Sequence, residues 1–281
     1  MQLGISSYSY TWATGVPGQM PANPMSAFDL IQKANDLKVG IVQIADNIPL
    51  DMLDQEQQLE LYLFAKHLGI SLEIGTRGLT FEHTLNFINL AERFRSPILR
   101  MVIEAPGFTP SIEDVIHIIS ELVPELKNRN IKLALENHDR LKAKEFERII
   151  QQVGSEYVGI CLDSVNSMGA GEGFEAVADI LLPYTINIHV KDFSISRLSH
   201  KMGFVIEGTP AGKGMLNIPV LFDKLNALGN CSSAILELWT PYQSSLEETI
   251  VLEDKWAKAS ILFLKQILET DLDLNKSIDL K

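Results

Sequence analysis

Eight short apolar runs recur along the chain, at 3–8, 39–45, 70–75, 97–103, 131–137, 157–163, 185–191 and 234–239, with helical spacing of apolar residues between them. No low-complexity linker interrupts the alternation. Parallel strands need helical crossovers, and eight such units can close a sheet on itself, so the pattern predicts a single-domain α/β protein, a (β/α)8 barrel over residues 1–270, with a polar tail at 271–281. The rival, a doubly wound open sheet, would carry a glycine-rich phosphate turn after the first strand. The chain there reads SSYSYTWATGVPG. Asn23-Pro24 and Thr109-Pro110 read as helix starts, a capping residue followed by proline at the first helical position. Further helices are expected over 54–68, 80–95, 142–153, 173–182, 217–228 and 244–269.

Four of the runs end in the same way. IKLALENHD (131–139), YVGICLDSVN (157–166), TINIHVKDF (185–193) and SAILELWT (233–240) place Glu136, Asp163, His189 and Glu237 near their carboxyl ends. Residues of the opposite parity are apolar: Leu133 and Leu135; Val158, Ile160 and Leu162; Ile186, Ile188 and Val190; Ala234, Leu236 and Leu238. Strand side chains alternate between faces, so the apolar set is expected beneath helices while the three acids and the imidazole share the barrel interior. Cys161, Asn187 and Ile235 should point inward with them. Three carboxylates so gathered would repel one another without a cation, which makes the four residues candidate metal ligands. Two Glu, one Asp and one His form a hard, oxygen-rich set. One divalent ion is expected, Mn²⁺ first, with Mg²⁺, Co²⁺ or Zn²⁺ as alternatives. Glu136 and Glu237 would also be the catalytic acid/base pair, exchanging protons with an enediolate formed next to a substrate carbonyl and stabilised by the metal.

Composition narrows the partners. Of the 281 residues 24 are basic and 36 acidic, a formal charge of −12, which disfavours binding along a nucleic-acid backbone. No stretch approaches the roughly 18 apolar residues of a membrane span, and the first residues carry neither a basic leader nor an apolar signal core. Cys161 and Cys231 make no metal-knuckle spacing and no disulfide framework. A cytoplasmic protein is expected, with a small polyhydroxylated carbonyl compound as substrate and a homo-oligomer left open.

The segments ALENHD, ICLDSVN, NIHVKD and ILELW, in that order and spacing and together with the AGKG turn at 211–214, resemble the xylose-isomerase-like TIM-barrel superfamily, specifically its sugar phosphate isomerase/epimerase group. The resemblance runs from LGISSYSY to ILELW. It implies that Glu136, Asp163, His189 and Glu237 are the metal ligands and that, as in the epimerase branch, the two glutamates are the acid/base pair. It further implies that His138, Asn166 and Lys191 contact substrate or support the ligands. The activity expected is that of a divalent-metal-dependent isomerase or epimerase. A dehydratase of an inosose-like or keto-sugar substrate and a non-catalytic carbohydrate-binding barrel are the alternatives. The trizinc DNA-repair branch has extra histidines after several strands, where this chain reads EIGTRG, MVIEAPG, DSVN and KDFSIS, so a trinuclear centre is not expected. The ketose 3-epimerase branch commonly has histidine where this chain has Asn166.

Other residues carry lesser expectations. Arg77 could neutralise an anionic group on the substrate, and Trp12 could wall the sugar ring. Tyr8 and Gln43 should point inward, and Arg100 and Glu104 could pair inside the barrel. His67, His83 and His117 fall in helical patterns and are expected on the surface. His200 and Glu207 lie in the long segment 192–216, which, like 9–23, is long enough to cover a substrate pocket.

Overall fold

A computed structural model describes the backbone of residues 1–278 and side chains through Glu269. The tail expected at 271–281 therefore lies outside the residues described at side-chain level. Eight parallel strands close a barrel: β1 (Gln2–Ser6), β2 (Ile41–Ile44), β3 (Ser71–Arg77), β4 (Ile98–Val102), β5 (Lys132–Glu136), β6 (Val158–Asp163), β7 (Thr185–Val190) and, after a two-stranded hairpin, β10 (Ser233–Leu236). β10 pairs with both β7 and β1 and so completes the ring. No helix among the described residues is long and apolar enough to cross a membrane.

Side-chain parity sets the two faces. Leu135, Ile160, Ile188 and Leu236 are fully buried in one cluster with helix residues such as Ile119, Phe146 and Phe222. Burying a leucine or isoleucine in this way contributes about 1.5–3 kcal/mol each, which fixes the register because a one-residue slip would reverse every side chain. Cys161 and Asn187 face the interior, where their side chains meet, and Ile235 lies opposite Gly4 with its Cδ1 2.8 Å from where a Cβ on that glycine would sit. One residue departs from the alternation. The register shifts between β6 and β7, Ile160 pairing with Thr185 but Cys161 with Asn187, so the intervening Ile186 joins an interior cluster with Ile98, Ala134 and Cys161 rather than packing under helices. Gly159 makes room for it: a Cβ there would stand 2.7 Å from Ile186 Cγ2.

The crossovers are α2 (Ala27–Leu37), α3 (Gln55–His67), α4 (Phe81–Arg93), α5 (Ile112–Arg129), α6 (Ala143–Val153), α7 (Phe174–Leu181), α8 (Ile218–Leu228) and α9 (Leu246–Ile278), with a single-turn α1 (Thr11–Thr14) ahead of them. The proline-based starts are corrected. Ser26 and Ser111 cap α2 and α5, each accepting from the backbone of an aspartate three residues on, Asp29 and Asp114, which bonds back to the cap. The prolines lie upstream, in the approach to the helix.

The long segment after β7 is an antiparallel hairpin, β8 (Asp192–Arg197) and β9 (Phe204–Thr209). His200 and Glu207 are exposed on it. At its base both oxygens of the Asp192 carboxylate accept backbone N–H groups, Oδ2 from Gly212 (2.8 Å) and Gly214 (2.9 Å) and Oδ1 from Leu216 (3.0 Å). This is the structural content of the AGKG turn, and a Cβ at Gly214 would collide with Asp192 and Thr209.

Candidate metal and substrate site

Glu136, Asp163 and His189 stand at or near the carboxyl ends of β5, β6 and β7, and Glu237 follows β10 directly. All four are buried. Around His189 Nδ1 lie Glu136 Oε2 at 3.4 Å, Asp163 Oδ2 at 3.7 Å and Glu237 Oε1 at 3.4 Å. One donor atom each from Asp163, His189 and Glu237 falls within 4.8 Å of the others, and the same holds for Glu136, Cys161 and His189. The sequence-predicted quartet thus converges on one point.

The electrostatics of that point are unbalanced. Burial works against the imidazolium of His189, yet the carboxylates of Glu237 and Glu136 outweigh it and raise its pKa. Burial likewise opposes ionisation of Asp163 and Glu237. For Asp163 the Lys191 ammonium and for Glu237 the His189 ring, then Lys191, outweigh it and hold both carboxyls low. Lys191 Nζ lies 2.7 Å from Asp163 Oδ2 and 2.8 Å from Glu237 Oε2, contacts that keep it an ammonium despite burial. Even so, His189 Nδ1 and Glu237 Oε1 are buried polar atoms with no hydrogen-bond partner. Such atoms are uncommon in folded proteins, and two of them facing each other amid carboxylates fit a divalent cation with oxygen and imidazole donors. The buried thiol of Cys161 is pushed well up in pKa, first by burial, and adds no thiolate to the set.

Above this point opens a cavity of about 490 Å³, the size of a small-molecule site. Glu136 and Glu237 reach it from below, and Trp12, Arg77, His138, Asn166 and Lys191, all singled out from sequence, line it. Asn166 donates through Nδ2 to Glu136 Oε1 at 2.8 Å. Trp12 donates from its indole to the Thr240 carbonyl (2.8 Å), and its ring lies 5.2 Å from that of Tyr242, so it packs and lines at once. Tyr8 lines the cavity, its hydroxyl donating to Asp46 at 3.2 Å.

Three placements differ from expectation. Arg100 does not pair with Glu104. Its Nε donates to Glu136 Oε2 and its Nη1 to Asp46 Oδ1 (3.3 Å), while Glu104 is taken by Arg140 at 2.7 Å. His83 is half-buried, its Nε2 2.8 Å from Thr76 Oγ1, and borders a smaller cavity of about 230 Å³ that shares Asp46 and Arg77 with the first. The hairpin does not cover the main cavity: none of its residues lines it, and it abuts Trp239, which does. Asp46 and the interior acid Glu73 are among the site residues that the sequence reading missed, while Arg100 was placed in the interior with the wrong partner. Glu73 shares parity with Gly75 and Arg77 in SLEIGTR, a signal that was present.

The model of the xylose isomerase-like TIM barrel family matches residues 51–267. The chain is 28% identical over 264 residues to a 3-oxo-isoapionate decarboxylase of Pectobacterium atrosepticum, covering 94% of this chain and 95% of that one. Its fold is similar to D-psicose 3-epimerase from Clostridium cellulolyticum H10, solved with D-tagatose, at a TM-score of 0.73, 15% identity and coverage of 95% and 99%. A xylose isomerase-like TIM barrel protein from Mycobacterium smegmatis, solved in complex with magnesium, gives a TM-score of 0.69 at 14% identity, covering 92% and 97%.

Proposed function

Because the chain belongs to the xylose isomerase-like TIM barrel family, we propose that it is a divalent-metal-dependent enzyme acting on a small polyhydroxylated carbonyl compound, and that its reaction is decarboxylation of a 3-oxo sugar acid. The observation that carries the choice of reaction is the engagement of Glu136. Both its oxygens already accept hydrogen bonds, from Arg100 and from Asn166. An epimerase asks that carboxylate to take a proton from carbon; a decarboxylase needs no base there, because the departing group is CO₂. Two further observations support the reading. In the site three side-chain cations, Arg77, Arg100 and Lys191, stand among four carboxylates, and a divalent ion tips the balance to positive, which suits an anionic substrate. The full-length relative is named as a decarboxylase of a 3-oxo acid.

Glu136, Asp163, His189 and Glu237 would hold the ion, with Mn²⁺ the first to try. When bound, it supplies positive charge beside the substrate oxygens on which negative charge develops. Arg77, at the edge of the cavity, pairs with the carboxylate to be lost. As the bond between the carboxyl carbon and its neighbour breaks, the electron pair moves to the former carbonyl oxygen, and Lys191 and Arg100 face that growing charge as fixed cations. His138, the one imidazole lining the cavity among the described residues, delivers the proton that the carbon then takes up. Trp12 walls the substrate and limits water.

The second reading, epimerisation or isomerisation with Glu136 and Glu237 as the acid/base pair, is favoured by their placement three strands apart round the ring, from which they reach the cavity on different sides. One incubation separates the readings. With Mn²⁺ present, 3-oxo sugar acids and ketoses are supplied in D₂O. Stoichiometric CO₂ and a product one carbon shorter with one deuterium are expected. An epimer formed from a ketose without CO₂ would move the chain to the second reading, an unsaturated product to a dehydratase, and binding without turnover to a carbohydrate-binding barrel.

A further inference from the structure

We infer that Gln43 and Asn187, backed by Glu73, form a polarity relay that fixes which nitrogen of His189 faces the ligand point. It rests on the metal-site reading above. The relay starts at a group whose role is unambiguous. The Ser233 backbone carbonyl can only accept, and Asn187 Nδ2 lies 3.4 Å from it and 2.7 Å from the Ser233 hydroxyl. The amide of Asn187 is therefore turned with Nδ2 toward β10 and Oδ1 away from it. Oδ1 lies 3.3 Å from Gln43 Nε2 and 2.9 Å from Cys161 Sγ, which donates to it. Gln43 Nε2 also donates to Glu73 Oε2 at 3.0 Å, so two acceptors hold the same end of this amide. Its other end, Oε1, is then 2.6 Å from His189 Nε2. A carbonyl oxygen can only accept, so Nε2 carries a proton and donates.

The consequence falls on the opposite nitrogen. A neutral imidazole protonated at Nε2 has its lone pair on Nδ1, the atom that Glu136, Asp163 and Glu237 surround. Reversing the Gln43 amide would present an N–H to Nε2, move the ring proton to Nδ1 and aim it into the ligand point; Asn187 opposes that reversal by accepting from Gln43 Nε2. Gln43, Asn187 and Glu73 touch no substrate-lining surface; they are positioning residues, acting through His189. All three are buried inside the barrel, from three different strands, so the relay is stiff.

The test compares Mn²⁺ affinity by calorimetry in the native chain, in Gln43→Met, and in the exchange variant Gln43→Glu with Glu73→Gln. The exchange restores donation toward the imidazole but not the bond to Asn187 Oδ1: the amide at 73 donates to a carboxylate at 43 that again accepts from Nε2. Gln43→Met is expected to bind Mn²⁺ about 10- to 100-fold more weakly, the usual effect of removing a hydrogen-bond partner of a ligating histidine, and the exchange variant to recover most of the loss. Nitrogen-15 NMR of the Zn²⁺-loaded native protein should show the ring proton on Nε2. That measurement needs no variant and stands even if a variant fails to fold. Native-like affinity in folded Gln43→Met, or a ring proton on Nδ1, would overturn the relay while leaving the metal site intact. Absence of metal binding by the native chain would overturn the site reading and the relay together.

Discussion

Lys191 is held by burial and by two acids, 2.7 Å from one and 2.8 Å from the other, with its ammonium at the floor of the cavity. Replacing it by methionine removes a charge but keeps the stem that packs the site. Mn²⁺ binding by Lys191→Met should not weaken, because Asp163 and Glu237 lose a competing cation, whereas kcat of the loaded variant should fall by about 10²- to 10³-fold, the effect of losing a fixed group aimed at developing charge. Calorimetry and steady-state turnover on the same preparation check this; near-native kcat would remove Lys191 from charge stabilisation. Much of the site's membership was legible at this scale because position along a strand dictates direction: Glu136, Asp163 and His189 share a face by parity alone. What parity does not carry is pairing. Arg100 and Glu104 share a face of the sequence, yet Arg100 reaches sideways to Glu136 on the neighbouring strand, because side chains across a parallel ladder are closer than residues four apart along one strand.

Among the elements, α9 has an unexpected role. Its Glu253 is buried and accepts the backbone N–H groups of Trp12 (3.0 Å) and Ala13 (3.1 Å), clasping α1 and the indole that lines the cavity. Burial pushes the Glu253 carboxyl up to about 7, against an ordinary 4.5, with Asp254 adding to the rise and the two N–H groups moderating it. Below 4.5 both folded and unfolded chains hold the proton, so pH has no effect through this group. Between 4.5 and 7 the unfolded chain releases it while the folded chain keeps it, so stability falls as pH rises; above 7 the loss is complete, on the order of 3 kcal/mol. Urea denaturation at pH 5 and pH 8 should show Glu253→Gln gaining on the native chain at the higher pH, and an equal difference at both would refute the expectation. The eight barrel strands and most helix bounds were readable because burial imposes periods of two and about 3.6 on the sequence. The β8–β9 hairpin was not: its strands pack on little of the core, so Phe204, Ile206 and Ile195 stay exposed, and only the short run Phe193–Ser196 alternates. Ile186 was misread for a related reason, since a bulge shifts register without leaving a signature in composition.

For the molecule as a whole, a cation held by β5, β6, β7 and the residue after β10 would tie together half of the ring. Ligand that binds only the folded chain stabilises it by about 2.7 kcal/mol at a hundred times its dissociation constant, worth roughly 5 °C in a chain of this size. Differential scanning fluorimetry with excess Mn²⁺ should show such a rise, EDTA should abolish it, and Asp163→Asn should not respond. The ring itself has a temporal consequence. Its seam joins β1 to β10, the first and the last strands of the barrel in chain order, and Glu237 stands just beyond that seam. A nascent chain that has not yet exposed β10 lacks both the closing strand and the fourth donor. Were the proposed ion bound, its full coordination would report closure of the barrel, because a chain cut short of β10 lacks Glu237 and offers the ion only Glu136, Asp163 and His189.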